Sequence, residues 1–228
     1  MQPLDRFAST VTEPEDALRL DVAAACIAAC AHPGLDIDAT CARLDEFAAG
    51  CPAPTFDGLR AYCFETLGLA GNRDDYADPE NSFIDSVLAR RVGIPISLSV
   101  VMMELGRRIG IRVLGVGMPG HFLVRDGERP GVWCDPFHGG ALCDIDDCRA
   151  LFTRVHGPEA RFSEAMLRAA RPRAIVARML ANLEQGRLAS DPTQLAWMCD
   201  LHLLLPDLPE RERDRLLTVR RSVRARWN

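Results

Sequence analysis

The first third of the chain carries apolar residues at the spacing of amphipathic helices. They recur three and four positions apart, and short segments rich in Pro and Gly separate the runs. This pattern predicts three helices, at residues 13–30, 38–49 and 55–67. Asp38 and Thr55 stand where an oxygen-bearing side chain can cap a first helical turn. Residues 1–75 are therefore predicted to form a helical region.

The middle of the chain, residues 76–150, combines helical and strand patterns. Helical spacing predicts helices at residues 81–91 and 97–109, and a break at Gly93-Ile94-Pro95 separates them. Apolar runs bounded by turn signals follow and predict three strands, at residues 111–116, 121–125 and 132–134. This order predicts antiparallel strands packed against one central helix.

Residues 151–228 return to a helical pattern. Amphipathic spacing predicts helices at residues 173–185, 194–204 and 210–226. The first two are joined by a turn at Ser190-Asp191-Pro192 and resemble one helical hairpin, fewer than the roughly three repeats that a solenoid needs. The arginines of the last helix are interleaved with Glu and Asp, which is typical of a solvated, ion-paired helix. The predicted fold class is α+β, with a mixed core between N- and C-terminal helices.

Composition and charge exclude several classes of function. The chain has 27 basic and 32 acidic residues, and this net charge of −5 argues against a dedicated nucleic-acid or anionic-membrane binder. All 27 basic residues are Arg, so Schiff-base and P-loop lysine chemistry is excluded. The N-terminus lacks the pattern of a secretory signal, and no apolar stretch is long enough to span a bilayer. We therefore expect a soluble, cytoplasmic protein.

The nine cysteines favour buried thiols over disulfides or metal ligands, because their number is odd and their spacing fits no standard zinc finger. Cys26 and Cys30 lie four residues apart in a predicted helix, where a shared core face is favoured over zinc ligation. The alternative ligand set is Cys134, His138, Cys143 and Cys148. We expect no metal and no other cofactor.

Three polar residues form a candidate catalytic constellation. Ser97 begins a predicted helix, where the backbone dipoles favour a developing anion. His121 opens a predicted strand and can act as a base, and Asp135 ends the next strand, where a carboxylate can orient the imidazole. The pattern alone is unspecific, since many proteins contain these three residue types.

Four segments together resemble a known family. They are NSFIDSVLARRVGIPISLS at 81–99, GVGMPGHFLVR at 115–125, DPFHGG at 135–140 and RAIVARMLANL at 173–183. They closely resemble the SirB-type branch of the transglutaminase-like superfamily over roughly residues 76–208. The resemblance implies a papain-like core, often followed by tetratricopeptide-like helices, in which a Cys at the start of the central helix, a His and an Asp perform acyl transfer or amide hydrolysis.

The nucleophile of that family is missing here. His121 and Asp135 match the His and the Asp, but no Cys occurs between Cys63 and Cys134. A Ser needs tighter geometry than a thiol because the His must remove its proton during attack. A cap is therefore favoured over a nucleophile for Ser97.

Two functions follow from the resemblance and this departure. The first is a non-catalytic regulatory or protein-interaction protein. The alternative is an acyl hydrolase or acyltransferase that uses Ser97, His121 and Asp135. We expect a protein partner, with no nucleic acid and no membrane. The candidate binding residues belong to the same motifs and are Asn81, Gly120, Phe137 and His138.

Overall fold

The computed structural model of the protein describes residues 2–225, except for the side chains of residues 187, 224 and 225, and it combines helices with an antiparallel sheet. The α-helices are α1 (Pro3–Thr12), α2 (Leu20–Ala31), α3 (Ile37–Ala49), α4 (Phe56–Ala61), α5 (Ile84–Arg90), α6 (Pro95–Arg108), α7 (Ile145–His156), α8 (Pro172–Gln185), α9 (Pro192–Leu203) and α10 (Glu210–Ala225). The strands are β1 (Ala70–Gly71), β2 (Val92–Gly93), β3 (Val113–Val116), β4 (Leu123–Asp126), β5 (Trp133–Asp135) and β6 (Ala141–Cys143). None of the helices in residues 2–225 is both long and apolar enough to cross a membrane.

The larger sheet is an antiparallel meander in the order β3-β4-β5-β6, and β1 and β2 form a separate parallel pair. In its register, Val116 pairs with Leu123 and Val124 pairs with Cys134. Because the last residue of β3 pairs with the first residue of β4, the segment between the two strands is a turn. Because Asp135 is the last residue of β5, the turn and the end of β5 lie at neighbouring positions of the sheet.

Helix α6 is the centre of the core. Eleven of its 14 residues are buried, and it contacts α2, α3, α8 and the strands β3 and β4. Pro95 occupies the first turn, where its missing N–H costs no hydrogen bond, and Gly110 follows the end of the helix with a φ of +77°. Each large apolar side chain that α6 buries contributes about 1.5–3 kcal/mol.

The N-terminal region differs from the sequence-based prediction in its helix boundaries. The predicted helix at 13–30 was wrong in its first half, because α1 ends at Thr12 and α2 begins at Leu20. Helix α1 was missed because it is rich in Ser and Thr, whose hydroxyls bond to carbonyls of the preceding turn, as Thr10 does to Arg6 at 2.8 Å. Asp36, not Asp38, caps α3. Thr55 caps α4 as predicted, since it accepts a hydrogen bond from the Gly58 amide at 3.1 Å.

The strand predicted at 121–125 begins two residues late, at Leu123. The His121 amide donates to the Met118 carbonyl at 3.0 Å, which closes a turn and keeps His121 out of the strand. The sequence pattern also missed helix α7 and the strands β1, β2 and β6. These three strands have only two or three residues each. The predicted helix at 210–226 ends at the limit of the described residues, and residue 226 lies outside them.

Candidate functional site

The turn before β4 places His121 against the end of β5. Gly120 in this turn has a φ of +73°, and a Cβ there would come within 2.4 Å of the Val155 side chain on α7, so the position requires glycine. The His121 Nε2 atom lies 2.9 Å from Asp135 Oδ2. Both side chains are buried. The structure thus brings together the two residues that match the family's His and Asp.

Asp135 is held by four hydrogen bonds. Its Oδ1 accepts from the backbone amides of Phe137 and His138 at 3.0 and 3.2 Å, and its Oδ2 lies 2.7 Å from His138 Nδ1 as well as facing His121. Burial alone would raise the pKa of Asp135, but the hydrogen bonds and charges of His121 and His138 outweigh it and lower that pKa. The carboxylate is therefore kept ionised and fixes the His121 ring.

The Ser97 hydroxyl is hydrogen-bonded to backbone groups. It donates to the Asn81 carbonyl at 2.6 Å and accepts from the Ile94 amide at 3.1 Å. As a cap, Ser97 was expected to accept from an amide further along the helix. It is instead the third residue of α6, and its hydroxyl accepts from the amide of Ile94, the residue before the helix. Within residues 2–225, no hydrogen bond joins Ser97 to His121.

No thiol takes the place of that hydroxyl among the described residues. No Sγ atom of these residues is hydrogen-bonded to His121. Burial raises the pKa of eight cysteines, which include Cys63 and Cys134, and it raises the pKa of Cys143 to about 11. Buried thiols of this kind are poor nucleophiles because the thiolate is disfavoured.

A cavity of about 340 Å³ opens beside His121. Apolar side chains at the start of α6, Pro95 and Ile96, also line it. Its other polar walls come from residues that the sequence analysis did not select, namely Tyr76, Arg178, Asn182 and Gln185. Three of them lie on α8 at spacings of three or four residues, and this polar stripe on one helix is the signal that could have revealed them.

Of the four predicted binding residues, one lines the cavity and the others contact residues beside it. Gly120 lines it directly. The Phe137 ring stands edge-on to the Tyr76 ring, with the ring centroids 5.6 Å apart, and its centroid is 6.3 Å from that of His121. His138 Nδ1 contacts Asp135 Oδ2, the same oxygen that His121 faces. These three roles differ in their contacts, and all four binding assignments stay predictions.

Asn81 connects two segments that line the cavity. It is fully buried, and its side-chain amide donates to the Asp75 carbonyl at 2.8 Å and to the Tyr76 carbonyl at 3.3 Å. Its own backbone carbonyl receives the Ser97 hydroxyl. Asn81 therefore connects the start of α6 to the loop that carries Tyr76.

Two groups in residues 2–225 could bring three metal-ligand atoms within 4.8 Å of one another. The groups are His121, Asp135 and His138, and Glu184, His202 and Glu212. Hydrogen bonds already connect both: Glu184, for example, contacts His202 at 2.6 Å and Arg215 at 2.5 Å. The cysteine sets considered from the sequence, Cys26 with Cys30 and Cys134 with its three companions, do not form such groups within this part of the chain.

Comparison with protein families supports the suggested relationship at the level of the superfamily. Residues 34–181 match the model of the transglutaminase-like superfamily. The chain belongs to this superfamily. No solved structure gives a significant match.

Several curated proteins are similar to parts of this transglutaminase-like chain. The UPF0162 protein of Xylella fastidiosa (strain Temecula1) is 40% identical over 163 residues, which are 69% of this chain and 58% of that protein. The UPF0162 protein of Vibrio cholerae is 34% identical over 165 residues, or 70% of this chain and 60% of that protein. Human F-box only protein 21 is 36% identical over 91 residues, or 40% of this chain and 13% of that protein. The chain thus spans under two thirds of the length of its UPF0162 relatives.

Proposed function

We propose that this chain is a non-catalytic member of the transglutaminase-like superfamily that binds a protein partner at the cavity beside His121. One observation carries the proposal: Pro95 and Ile96, which have no nucleophilic atom, line the same cavity as His121, and the Ser97 hydroxyl donates to a backbone carbonyl instead. On this proposal, Ile96 occupies the place of the nucleophile in a papain-like site.

The hydrogen bonds of Ser97 argue against catalysis by that residue. A serine nucleophile must pass its proton to the imidazole, whereas this hydroxyl donates to the Asn81 carbonyl, which cannot act as the base. Turning Ser97 toward His121 would leave the buried Asn81 carbonyl and the Ile94 amide with one bond fewer each. The Ile94 amide would still donate to the Asn81 carbonyl at 3.3 Å, so the cost is that of the lost hydrogen bonds, about 0.5–1.5 kcal/mol each.

The relatives support a binding role. A segment similar to this chain forms 13% of human F-box only protein 21, so the unit also occurs as a small part of a larger protein. This fits a unit that contributes an interaction surface. Membership of the SirB-type branch, a cytoplasmic location and the division into regions 1–75, 76–150 and 151–228 are further parts of the proposal.

The alternative is an acyl hydrolase or acyltransferase with Ser97 as its nucleophile. The 2.9 Å contact between His121 and Asp135 favours it, because this pair would orient and polarise a catalytic imidazole. It requires Ser97 to exchange its present hydrogen bonds with the Asn81 and Ile94 backbone for one to His121.

Labelling with a fluorophosphonate, which modifies activated serines, separates the two functions. We expect intact-mass spectra of the wild-type chain to show no adduct at Ser97. The His121→Ala and Ser97→Ala variants are the controls, and their spectra should likewise show no fluorophosphonate adduct. An adduct mapped to Ser97 that disappears in the His121→Ala variant would overturn the proposal in favour of the alternative.

A further inference from the structure

A half-buried arginine without a counter-ion lies in the cavity beside His121. Arg178, on α8, donates to the Met118 carbonyl at 3.3 Å, and no carboxylate of the described residues pairs with it. Burial lowers the pKa of this guanidinium. By contrast, Arg173 on the same helix pairs with Asp207 at 2.5 Å. A cation that is removed from water without a partner costs free energy, so its retention here points to a partner outside the chain.

The rest of the cavity also favours an anion. No Asp or Glu lines it. The His121 side chain is only 7% exposed, and its Nδ1 atom has no hydrogen-bond partner in the described part of the chain, whereas Nε2 faces Asp135. The first turn of α6, whose backbone amides carry partial positive charge, adjoins the same space through Pro95 and Ile96.

We infer that this cavity binds the carboxylate group of an organic ligand, with Arg178 as its anchor. The inference rests on the proposed function, because it names the chemical group that the same cavity recognises. A planar guanidinium matches a carboxylate with two parallel hydrogen bonds. One arginine supplies one positive charge, which suits a monovalent carboxylate better than a divalent phosphate.

The size and walls of the cavity indicate what carries the carboxylate. Its volume of about 340 Å³ holds a small organic acid or the last residues of a peptide. Asn182 and Gln185 offer amide groups that can pair with a peptide backbone, and Ile96 and Phe122 form apolar walls. The carboxyl terminus of a peptide and a small free acid share the carboxylate, and the experiment below distinguishes them.

Calorimetric titration of the full chain tests this assignment with four probes: acetyl-Ala-Ala-Ala with a free carboxylate, the same peptide as its C-terminal amide, acetate, and inorganic phosphate. We expect the peptide acid to bind at least about tenfold more tightly than its amide, a difference of about 1.4 kcal/mol. If acetate binds through Arg178 as tightly as the peptide acid, the carboxylate site stands and its source is a small acid. Phosphate that binds through Arg178 more tightly than either acid would overturn the assignment to a carboxylate.

Two variants locate the binding. Arg178→Gln should weaken binding of the peptide acid at least about tenfold, while Arg211→Gln, which makes the same charge change at an exposed position of α10, should leave it unchanged. Absence of binding by both acids, or binding that Arg178→Gln does not alter, would overturn the inference. Neither result changes fluorophosphonate labelling, and a Ser97 adduct would not change this titration, so the two proposals fail separately.

Discussion

The two ends of helix α6 differ in whether the charged side chains beside them form ion pairs. Near its C-terminal end, the fully buried Asp21 of α2 contacts Arg107 at 3.3 Å and Arg108 at 2.5 Å, and Arg108 also contacts Glu104 at 2.7 Å. Near its N-terminal end, the cavity contains Arg178, which pairs with no carboxylate of the described residues, and no acidic side chain. At the C-terminal end these charged side chains form ion pairs within the chain, whereas at the N-terminal end Arg178 forms none with the described residues.

On the inference that Arg178 binds a carboxylate, this difference separates charges that stabilise the fold from a charge that binds a ligand. A buried charge that loses its internal partner destabilises the folded state, because nothing replaces the lost interaction. A half-buried charge that has no internal partner can be removed with little change in stability. Substitutions at the two ends of α6 should therefore affect different measurements.

The largest expected effect is at the C-terminal end. Asp21→Asn should lower the free energy of unfolding by about 3–5 kcal/mol, because Arg19, Arg107 and Arg108 lose a shared, fully buried carboxylate and only Glu104 remains beside the last two. The matched control is Asp45→Asn, which removes a 67% exposed partner of the same Arg108 and should cost less than about 1 kcal/mol. Urea unfolding measures both. Equal losses for the two variants would contradict the assigned difference.

A smaller effect is expected at Asp135. Asp135→Asn should cost about 1–3 kcal/mol, because the buried His121 ring and the half-buried His138 ring lose a charged acceptor. The pKa of Asp135 is lowered in the folded state, so its stabilisation is present above the unfolded value of about 3.9 and is lost as the pH falls through the folded pKa. Urea midpoints measured over this range should converge for the wild type and the variant at low pH. A difference that stays constant with pH would contradict this.

The smallest effect on stability is expected at Arg178. Arg178→Gln should change the free energy of unfolding by no more than about 0.5 kcal/mol, because it removes a cation that makes no ion pair in the described part of the chain and a glutamine can still donate to the Met118 carbonyl. Thermal or urea unfolding checks this without any ligand. A loss as large as that of Asp135→Asn would show that Arg178 supports the fold.

Residues that are close in sequence and follow a strong motif were predictable. The His121 and Asp135 pairing followed from a resemblance that spans both motifs, and the central helix was found within two residues of its start because its apolar positions are dense. The mixed helix and sheet composition was also predicted. Its arrangement as a papain-like core stays part of the proposal.

The far wall of the cavity was not predictable in the same way. Tyr76 and Arg178 are about 100 residues apart in the chain and meet at the cavity only through the packing of α8. The direction of the Ser97 hydroxyl depends on the Asn81 carbonyl, 16 residues away, which spacing alone does not place. The features on which the proposed binding role depends therefore arise from tertiary contacts, which the sequence pattern does not show.

The central claim is that an apolar residue, Ile96, occupies the place of a nucleophile beside an intact pair of His121 and Asp135. The direct test is the rate of alkylation of the Ile96→Cys variant by iodoacetamide at about pH 6, mapped by mass spectrometry and corrected for the native cysteines. An ordinary thiol with a pKa of about 8.5 reacts slowly there, while a thiol paired with an imidazole has a pKa of about 3.5–7.5. We expect fast alkylation of the introduced thiol that His121→Ala abolishes. A rate that is slow, or that is the same with and without His121, would contradict the claim.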